Sequence, residues 1–213
     1  MAELSFVVGV IGIIISVLLF IISLLKTFRR IVERRSTQGF DSLPFILTLL
    51  NTALWTYYGL EKTDSLLVVT VNGIGAVVEA VYVGLFLVFP PRRVSEKTAA
   101  FAAVLDVWFL GGAILITHFM LQGDTRIDVI GFLCVGLNIF MYSSTLAAIE
   151  RCVEHRRAHA FPSLLFMFLN RGIWTYYAVL VEDKFLGVSN VIGCLLGVTQ
   201  LMLYAIYMTD NPS

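Results

Sequence analysis

Residues 50–58 have the sequence LNTALWTYY and residues 169–177 have the sequence LNRGIWTYY, so one nine-residue pattern occurs twice in the chain. Both copies place an Asn, a Trp and a Thr-Tyr-Tyr run at identical spacing inside a long apolar segment. A further asparagine follows each copy in the next apolar segment, Asn72 in the first half and Asn190 in the second. Such a duplication predicts a chain built from two copies of one structural unit.

The composition is typical of a membrane protein with little soluble mass. Hydrophobic residues make up 58% of the 213 residues and charged residues 14%, whereas soluble domains carry about 25% charged residues. The formal net charge is zero, which argues against nucleic acid as a partner. The three cysteines lack the spacing of a metal site, and their odd number argues against a disulfide framework. We therefore expect no metal and no cofactor.

Seven apolar segments are long enough to cross a bilayer as helices, which takes about 20 residues each. Strands are excluded because an open sheet edge leaves backbone groups unpaired in lipid. The prediction is an all-α membrane protein with seven transmembrane helices. The predicted helices are 4–25, 43–60, 65–89, 98–121, 129–149, 161–181 and 185–208.

The distribution of positive charge predicts the orientation of these helices. Eleven of the fifteen Lys and Arg residues follow predicted helices 1, 3 and 5, and cytosolic loops carry such an excess. We expect a luminal or extracellular N-terminus and a cytosolic C-terminus. Anchoring of lipid headgroups is an alternative role for the basic runs and is compatible with the same topology. The eleven residues are Lys26, Arg29, Arg30, Arg34, Arg35, Arg92, Arg93, Lys97, Arg151, Arg156 and Arg157.

The repeat predicts how the helices are grouped. It covers helices 1–3 and 5–7, and both copies carry basic residues after their first helix, so both are inserted the same way up. Three helices reverse the side of the chain, so helix 4 must supply one extra crossing. The prediction is two parallel three-helix bundles, residues 1–90 and 129–213, joined by a linker segment, residues 91–128.

Paired polar and aromatic residues within the apolar segments are candidates for a ligand site. The amides of Asn72 and Asn190 can hold the hydroxyls of a neutral polar ligand, and an interhelical hydrogen bond is their alternative role. Trp55 and Trp174 offer flat faces to the C–H face of a sugar, and a position at the membrane interface is their alternative role. We expect the remaining motif asparagines to be packing groups and the motif tyrosines to lie at the membrane interface. These are Asn51, Asn170, Tyr57, Tyr58, Tyr176 and Tyr177.

Three Asp, Glu, Lys or Arg residues lie within predicted helices, namely Glu79, Asp106 and Arg171. Charge inside a membrane segment points by default to function. No carboxylate recurs at matched positions of the two repeats, which argues against coupling to protons or sodium. No nucleophile–base pair, metal cluster or phosphate loop occurs in the sequence, so it does not predict an enzyme.

Seven short stretches carry a resemblance to a known family, namely residues 35–37 (RST), 43–45 (LPF), 55–59 (WTYYG), 71–75 (VNGIG), 141–144 (MYSS), 190–193 (NVIG) and 200–201 (QL). Through them the chain resembles the SWEET sugar transporters over nearly its whole length. The opening residues 1–6 and 10–12 look most like the plant subgroup linked to the vacuolar membrane and to fructose or glucose. The resemblance implies energy-independent, bidirectional uniport of a mono- or disaccharide, and frequent homo-oligomers.

The resemblance also implies roles for individual residues. Asn72 and Asn190 match the sugar-binding asparagines of the family, and Trp55 and Trp174 match pocket positions. The other matches are the pocket positions Ser23 and Ser144, the gate pair Tyr58 and Asp183 on the non-cytosolic side, and the hinge and gate prolines Pro44 and Pro162.

The chain departs from the family pattern at several of these places. Where the family has a proline in helices 1 and 5, this chain has Leu24 and Thr145, which we expect to straighten both helices because proline bends a helix. Ser189 stands where the family has a proline, and Arg171 where it has a small residue. These departures indicate a divergent or an engineered member.

The predicted function is uniport of small sugars of the glucose or fructose class by alternating access, in a vacuolar or plasma membrane. A related two-repeat, proton-coupled solute carrier and a non-transporting, sugar-binding membrane scaffold are the alternatives. A titrating acid in the transport pathway would mark the first alternative, and sugar binding without flux the second.

Overall fold

The computed structural model of the chain describes the backbone of residues 2–34, 41–90, 92–154 and 160–210. Within these ranges it describes the side chains of residues 3–22, 41–90, 92–142, 164–202 and 205–206. Every regular element of the described backbone is helical, and this confirms the predicted all-α fold with seven helices. The helices are α1 Ala2–Arg34, α2 Leu43–Glu61, α3 Leu66–Val88, α4 Arg92–Met120, α5 Gly123–Glu154, α6 Ala160–Leu180 and α7 Lys184–Asp210.

Most of these helices have the length and composition of membrane spans. Five stretches are long and apolar enough to cross a bilayer, and α6 adds the shorter apolar helix Leu164–Leu180. Both helices that carry the repeated motif, α2 and α6, include its Asn, Thr and Tyr residues, which lower the mean hydropathy. The five long spans are Glu3–Ile22, Leu66–Val88, Arg92–Met120, Gly123–Tyr142 and Lys184–Met202.

Three helices extend further than predicted at their basic ends. α1 continues to Arg34 and α5 to Glu154, past the predicted ends at residues 25 and 149, and α4 begins at Arg92 rather than at residue 98. Hydropathy marks where the apolar part of a helix ends, whereas Lys, Arg and Glu continue a helix as readily as Leu. The residues predicted in loops that lie on helices instead are Lys26, Arg29, Arg30, Arg34, Arg92, Arg93, Lys97 and Arg151; Arg35, Arg156 and Arg157 lie outside the described residues.

Proline lies only at helix starts among the predicted hinge positions. Pro44 is in the first turn of α2, and Pro162 is the third residue of α6. A proline in the first turn removes no intrahelical hydrogen bond and does not kink the helix. α1 and α5 run without a break through Leu24 and Thr145, the other two positions considered as hinges. None of the four positions therefore puts a proline in the interior of a described helix.

The chain packs as two compact units. The central unit comprises Ser16–Cys134, and the terminal unit comprises Met1–Ile15 with Val135–Ser213. This partition by packing differs from the predicted partition by repeat at residues 1–90, 91–128 and 129–213, which stays a prediction.

In the central unit, α2 and α3 form an antiparallel hairpin and α4 lies beside α2. The Phe45 ring near the start of α2 contacts the rings of Tyr82 and Phe86 near the end of α3, at centroid distances of 4.8 and 5.2 Å. Thr98 donates a hydrogen bond to the Ser42 hydroxyl where both α2 and α4 begin. At the other end the hydroxyls of Tyr57 and Thr117 lie 3.1 Å apart. α4 therefore runs parallel to α2.

The linker helix α4 is not uniform. It is α-helical over Arg92–Ala102 and Leu110–Met120 and π-helical over Ala103–Phe109. Asp106 lies in the middle of the π-helical segment. Segments of this type are rare and occur frequently at functional sites.

In the terminal unit, α6 and α7 form a second hairpin and α5 packs on α7. The Asn138 amide of α5 donates a hydrogen bond to the Ser189 hydroxyl of α7. Both side chains are buried, with exposed fractions of 4% and 1%. Ser189, which replaces a family proline, therefore has a partner of its own in this chain.

Candidate functional site

Each unit contains one copy of the candidate site, built on its helical hairpin. The hairpins α2–α3 and α6–α7 turn through one residue of positive φ at matched positions, Asp64 at 60° and Glu182 at 53°. The next residue, Ser65 or Asp183, is buried and precedes the following helix. Asp183 accepts a hydrogen bond from the backbone N–H of Leu186 at 3.0 Å, which is the geometry of a helix N-cap. The two repeats thus share the backbone turn before α3 and α7, but Asp183 caps its helix through its side chain and Ser65 does not.

A Trp–Tyr pair occupies the same place in each hairpin. The rings of Trp55 and Tyr58 meet edge to face at a centroid distance of 5.3 Å, and those of Trp174 and Tyr177 do so at 5.4 Å. Residues three apart share one face of a helix, and all four side chains are at most 6% exposed. The sequence motif therefore places one buried aromatic pair in each unit.

The prediction that the four motif tyrosines lie at the membrane interface as a group is wrong for Tyr58 and Tyr177. Tyr58 and Tyr177 are buried, while Tyr176 is 50% exposed and Tyr57 is half-buried against Thr117. The two tyrosines of each run are adjacent, so they point to different sides of the helix. One of them packs on the Trp because it lies three residues away, and the other faces outward or towards α4.

The asparagines make the same hydrogen bond in both units. Nδ2 of Asn72 donates to the Val68 carbonyl, and Nδ2 of Asn190 donates to the Leu186 carbonyl, each at 2.9 Å. Both bonds stay within one helix, so neither amide makes the interhelical bond that was its alternative role, as far as the described residues go. Each side chain retains its carbonyl oxygen and a second N–H for another partner.

A buried glycine follows each of these asparagines by three residues and was missed as a candidate. A Cβ at Gly75 would lie 3.1 Å from Cγ2 of Thr52, and a Cβ at Gly193 would lie 3.1 Å from Cδ of Arg171. Thr52 and Arg171 occupy the same place in the motif, so the aliphatic stem of Arg171 fills the position of the Thr52 methyl group. Its guanidinium lies 4.9 Å from the centre of the Tyr142 ring, which is a cation–π contact. Glycine at the same distance from Asn in both repeats was the available sequence signal.

Several predicted site residues are not tested by this geometry. The side chains of Ser23, Ser144 and Pro162 lie outside the described residues. Tyr58 accepts a hydrogen bond from Lys62 Nζ at 3.3 Å, and Asp183 caps α7. Their action as a gate pair stays a prediction, as does that of Pro44.

Two carboxyl groups lie within the helices of the central unit. Both oxygens of Asp106 and Oε2 of Glu79 are buried and have no hydrogen-bond partner among the described residues. No group of three or more His, Cys, Asp or Glu residues with the arrangement of a metal site occurs in that part of the chain.

Comparison with known proteins relates both repeats to one family. A family model described as "Sugar efflux transporter for intercellular exchange" matches residues 6–94 and 128–211. Bidirectional sugar transporters SWEET17 and SWEET16 of Arabidopsis thaliana are 47% and 46% identical to all of this chain, which covers 89% and 93% of their lengths. SWEET16 of Oryza sativa subsp. japonica is 44% identical, and the chain spans 66% of its length.

A solved structure has the same fold. It is described as the 3.7 Å resolution structure of a eukaryotic SWEET transporter, and it matches with a TM-score of 0.88 and 32% sequence identity. The match covers 97% of both chains. The chain therefore has the fold of that transporter.

Proposed function

The chain belongs to the SWEET family of bidirectional sugar transporters, and we propose that it carries small sugars of the glucose and fructose class by uniport. It is a multi-pass membrane protein. The substrate class rests on the relatives and on the resemblance of residues 1–6 and 10–12 to the vacuolar subgroup. The vacuolar or the plasma membrane is the proposed location, with a luminal or extracellular N-terminus, a cytosolic C-terminus and a homo-oligomeric state.

One observation carries the proposed binding residues, namely the equivalence of the Asn and Trp sites in the two repeats. Asn72 and Asn190 make identical bonds to the preceding helical turn, and Trp55 and Trp174 have identical Tyr partners. A fold that packs its core need not keep such details at both places. A sugar-binding role for both asparagines provides a reason.

The chemistry of these groups fits a neutral sugar. The free amide oxygen and N–H of each Asn accept from and donate to sugar hydroxyls, and the indoles pack on its apolar C–H face. In the proposal each amide binds hydroxyls of the transported sugar during alternating access, with Ser23 and Ser144 as further pocket residues. Tyr58, Asp183, Pro44 and Pro162 form the proposed gates.

Tracer uptake into liposomes that contain the purified chain tests this site. Asn72→Ala and Asn190→Ala are each expected to reduce glucose or fructose uptake at least tenfold, since lost hydrogen bonds to a bound hydroxyl cost about 1.4 kcal/mol or more. Asn51→Ala is the matched control, because Asn51 is likewise an asparagine within a helix, here α2, and its buried Oδ1 has no partner in the described part of the chain. Uptake that survives both Asn72→Ala and Asn190→Ala in chains that insert normally would refute the proposed site.

A second candidate function is favoured by Asp106 alone. Its two buried, unpartnered oxygens in a π-helical segment are suited to bind a proton, as a proton-coupled solute carrier of the same fold would require. Asp106→Asn is the variant that separates the two functions.

A further inference from the structure

The N-terminal turns of α4 carry a positively charged groove next to an apolar, exposed helix face. The groove has a volume of about 460 Å³ and is lined by Arg93, Val94, Glu96, Lys97 and Ala100. All five side chains are exposed. It lies within the first three turns of the membrane span Arg92–Met120.

The charges in this groove do not cancel. Glu96 forms an ion pair with Arg92 at 2.9 Å, so its charge is already compensated. Arg93 and Lys97 make no ion pair with any described residue. They are four residues apart and therefore lie on one face of the helix, one above the other. The groove thus offers two free cations to an anion.

The internal contacts of α4 fix the direction in which these cations point. Thr98 is fully buried and donates a hydrogen bond to the Ser42 hydroxyl, and Ser95 donates one to the Leu87 carbonyl at 2.8 Å. At about 100° per residue, Arg93 is rotated about 140° from Thr98 around the helix axis. The cations therefore face away from α2 and α3.

The same face becomes apolar one turn further into the span. Ala100 continues the line of Arg93 and Lys97, and Phe101 and Val104 follow with exposed fractions of 48% and 58%. A ligand that fits this surface has a negative head and a hydrocarbon tail parallel to the helix. A soluble anion would use only the first part.

We propose that the groove on α4 binds an anionic phospholipid, with the phosphate between Arg93 and Lys97 and an acyl chain along Ala100 and Val104. Arg offers two parallel N–H groups to a phosphate and Lys a point charge. Basic pockets at the ends of membrane helices bind anionic headgroups in this way, and the cytosolic leaflet supplies such lipids. In the proposed orientation the groove lies on the cytosolic side. The bound lipid would hold the linker helix at a fixed depth in the bilayer.

Lipid titration of the purified full chain in neutral detergent, followed by native mass spectrometry, tests this proposal. Phosphatidylserine is expected to bind more tightly than phosphatidylcholine. Arg93→Gln and Lys97→Gln should each weaken phosphatidylserine binding about fivefold, which corresponds to about 1 kcal/mol per cation. Glu96→Gln should leave binding equal or tighter, since it frees Arg92. Lys184→Gln, which removes an exposed cation at the start of α7, should have no effect.

A second variant separates a lipid from a free anion. Ala100→Trp keeps both cations but fills the groove next to them. It should therefore weaken the binding of phosphatidylserine and leave the binding of inorganic phosphate, measured by competition, unchanged. The proposal is overturned if phosphatidylcholine binds as tightly as phosphatidylserine, or if Lys184→Gln weakens binding as much as Arg93→Gln does. It is also overturned if Ala100→Trp has no effect and inorganic phosphate displaces the lipid fully, because the groove would then be a site for soluble phosphate.

Discussion

The hydroxyl of Ser189 and the amide of Asn138 form a buried polar contact between α7 and α5 of the terminal unit. A buried amide that loses its partner costs about 1–3 kcal/mol, although hydrogen bonds between membrane helices average less. We expect Ser189→Ala and Asn138→Ala each to lower the stability of the chain by about 1 kcal/mol. The double variant should lose less than the sum, since either change alone already breaks the bond.

Denaturation of the unchanged chain, the two single variants and the double variant in detergent measures the interaction energy between the two side chains. Thr199→Ala serves as the control, because within the described part of the chain its hydroxyl bonds only to the Leu195 carbonyl of its own helix. Additive losses in the double variant would show that the two side chains contribute independently.

Asp106 decides between uniport and proton coupling at the level of one residue. Its oxygens are buried and unpartnered among the described residues, so an amide of similar shape is easier to bury than a charged carboxylate. For a uniporter we expect Asp106→Asn to retain wild-type uptake at every pH and to be at least as stable. Glu79→Gln is the matched control, since Glu79 also has a buried oxygen without a partner.

Uptake measured at several pH values in liposomes gives the answer. Loss of uptake in Asp106→Asn together with pH-dependent transport by the unchanged chain would favour the proton-coupled carrier. Loss in both acid variants without pH dependence would instead indicate a structural role for the two carboxyl groups.

At the scale of elements, one arginine joins three helices of the central unit. Arg126 of α5 forms an ion pair with Glu61 of α2 at 2.7 Å, and it donates to the carbonyls of His118 and Leu121 where α4 ends. Its side chain is 18% exposed and that of Glu61 is 21% exposed. The guanidinium thus satisfies carbonyls that a helix end leaves without partners.

A second ion pair of similar length provides the comparison. Arg92 and Glu96 lie 2.9 Å apart with side chains 92% and 62% exposed, and such pairs contribute about 0–1 kcal/mol. We expect Arg126→Gln to lower stability by about 2–3 kcal/mol, because Glu61 and two carbonyls lose a partner, and Arg92→Gln to change it by less than about 0.5 kcal/mol. Thermal unfolding of both variants in one detergent measures the contrast, and equal shifts would contradict it.

The sequence predicts the helices but not how their ends and contacts are arranged. Apolar length fixes the number and type of helices, whereas the ends of α1, α4 and α5 depend on basic residues that hydropathy excludes. The hairpin contact shows a similar limit. In the first repeat Gly59 faces Val69, where a Cβ would come within 2.8 Å of Cγ2, and in the second repeat Gly187 faces Ala178 at 3.7 Å. In the first repeat the glycine lies on the first helix of the hairpin, and in the second repeat it lies on the second helix. Alignment of glycines between the repeats therefore does not reveal the shared contact.

The candidate site was predictable where it depends on periodicity. Trp55 and Tyr58 share a helix face because they are three residues apart, and the spacing recurs at Trp174 and Tyr177. The partners of Arg171 and Ser189 were not predictable, since Tyr142 and Asn138 lie on another helix and neither belongs to the repeated motif. Contacts between distant parts of a chain depend on packing that a single sequence does not encode in its local pattern.

For the whole molecule, the proposed uniport makes a thermodynamic prediction that separates it from every coupled carrier. A uniporter binds sugar alone, so it can only equalise the sugar concentration on the two sides of a membrane. In liposomes loaded with buffer, labelled glucose or fructose should reach the external concentration and stop there, and proton or sodium gradients of either sign should not change the end point. Unlabelled sugar inside the liposomes should drive transient exchange with labelled sugar outside, which shows that transport runs in both directions.

Asn72→Ala liposomes correct for leakage, since this variant keeps the fold but lacks the proposed binding amide. Accumulation of sugar above the external concentration under an imposed proton or sodium gradient would contradict uniport. Intact sugar binding with no flux would identify the chain as a non-transporting member of its family.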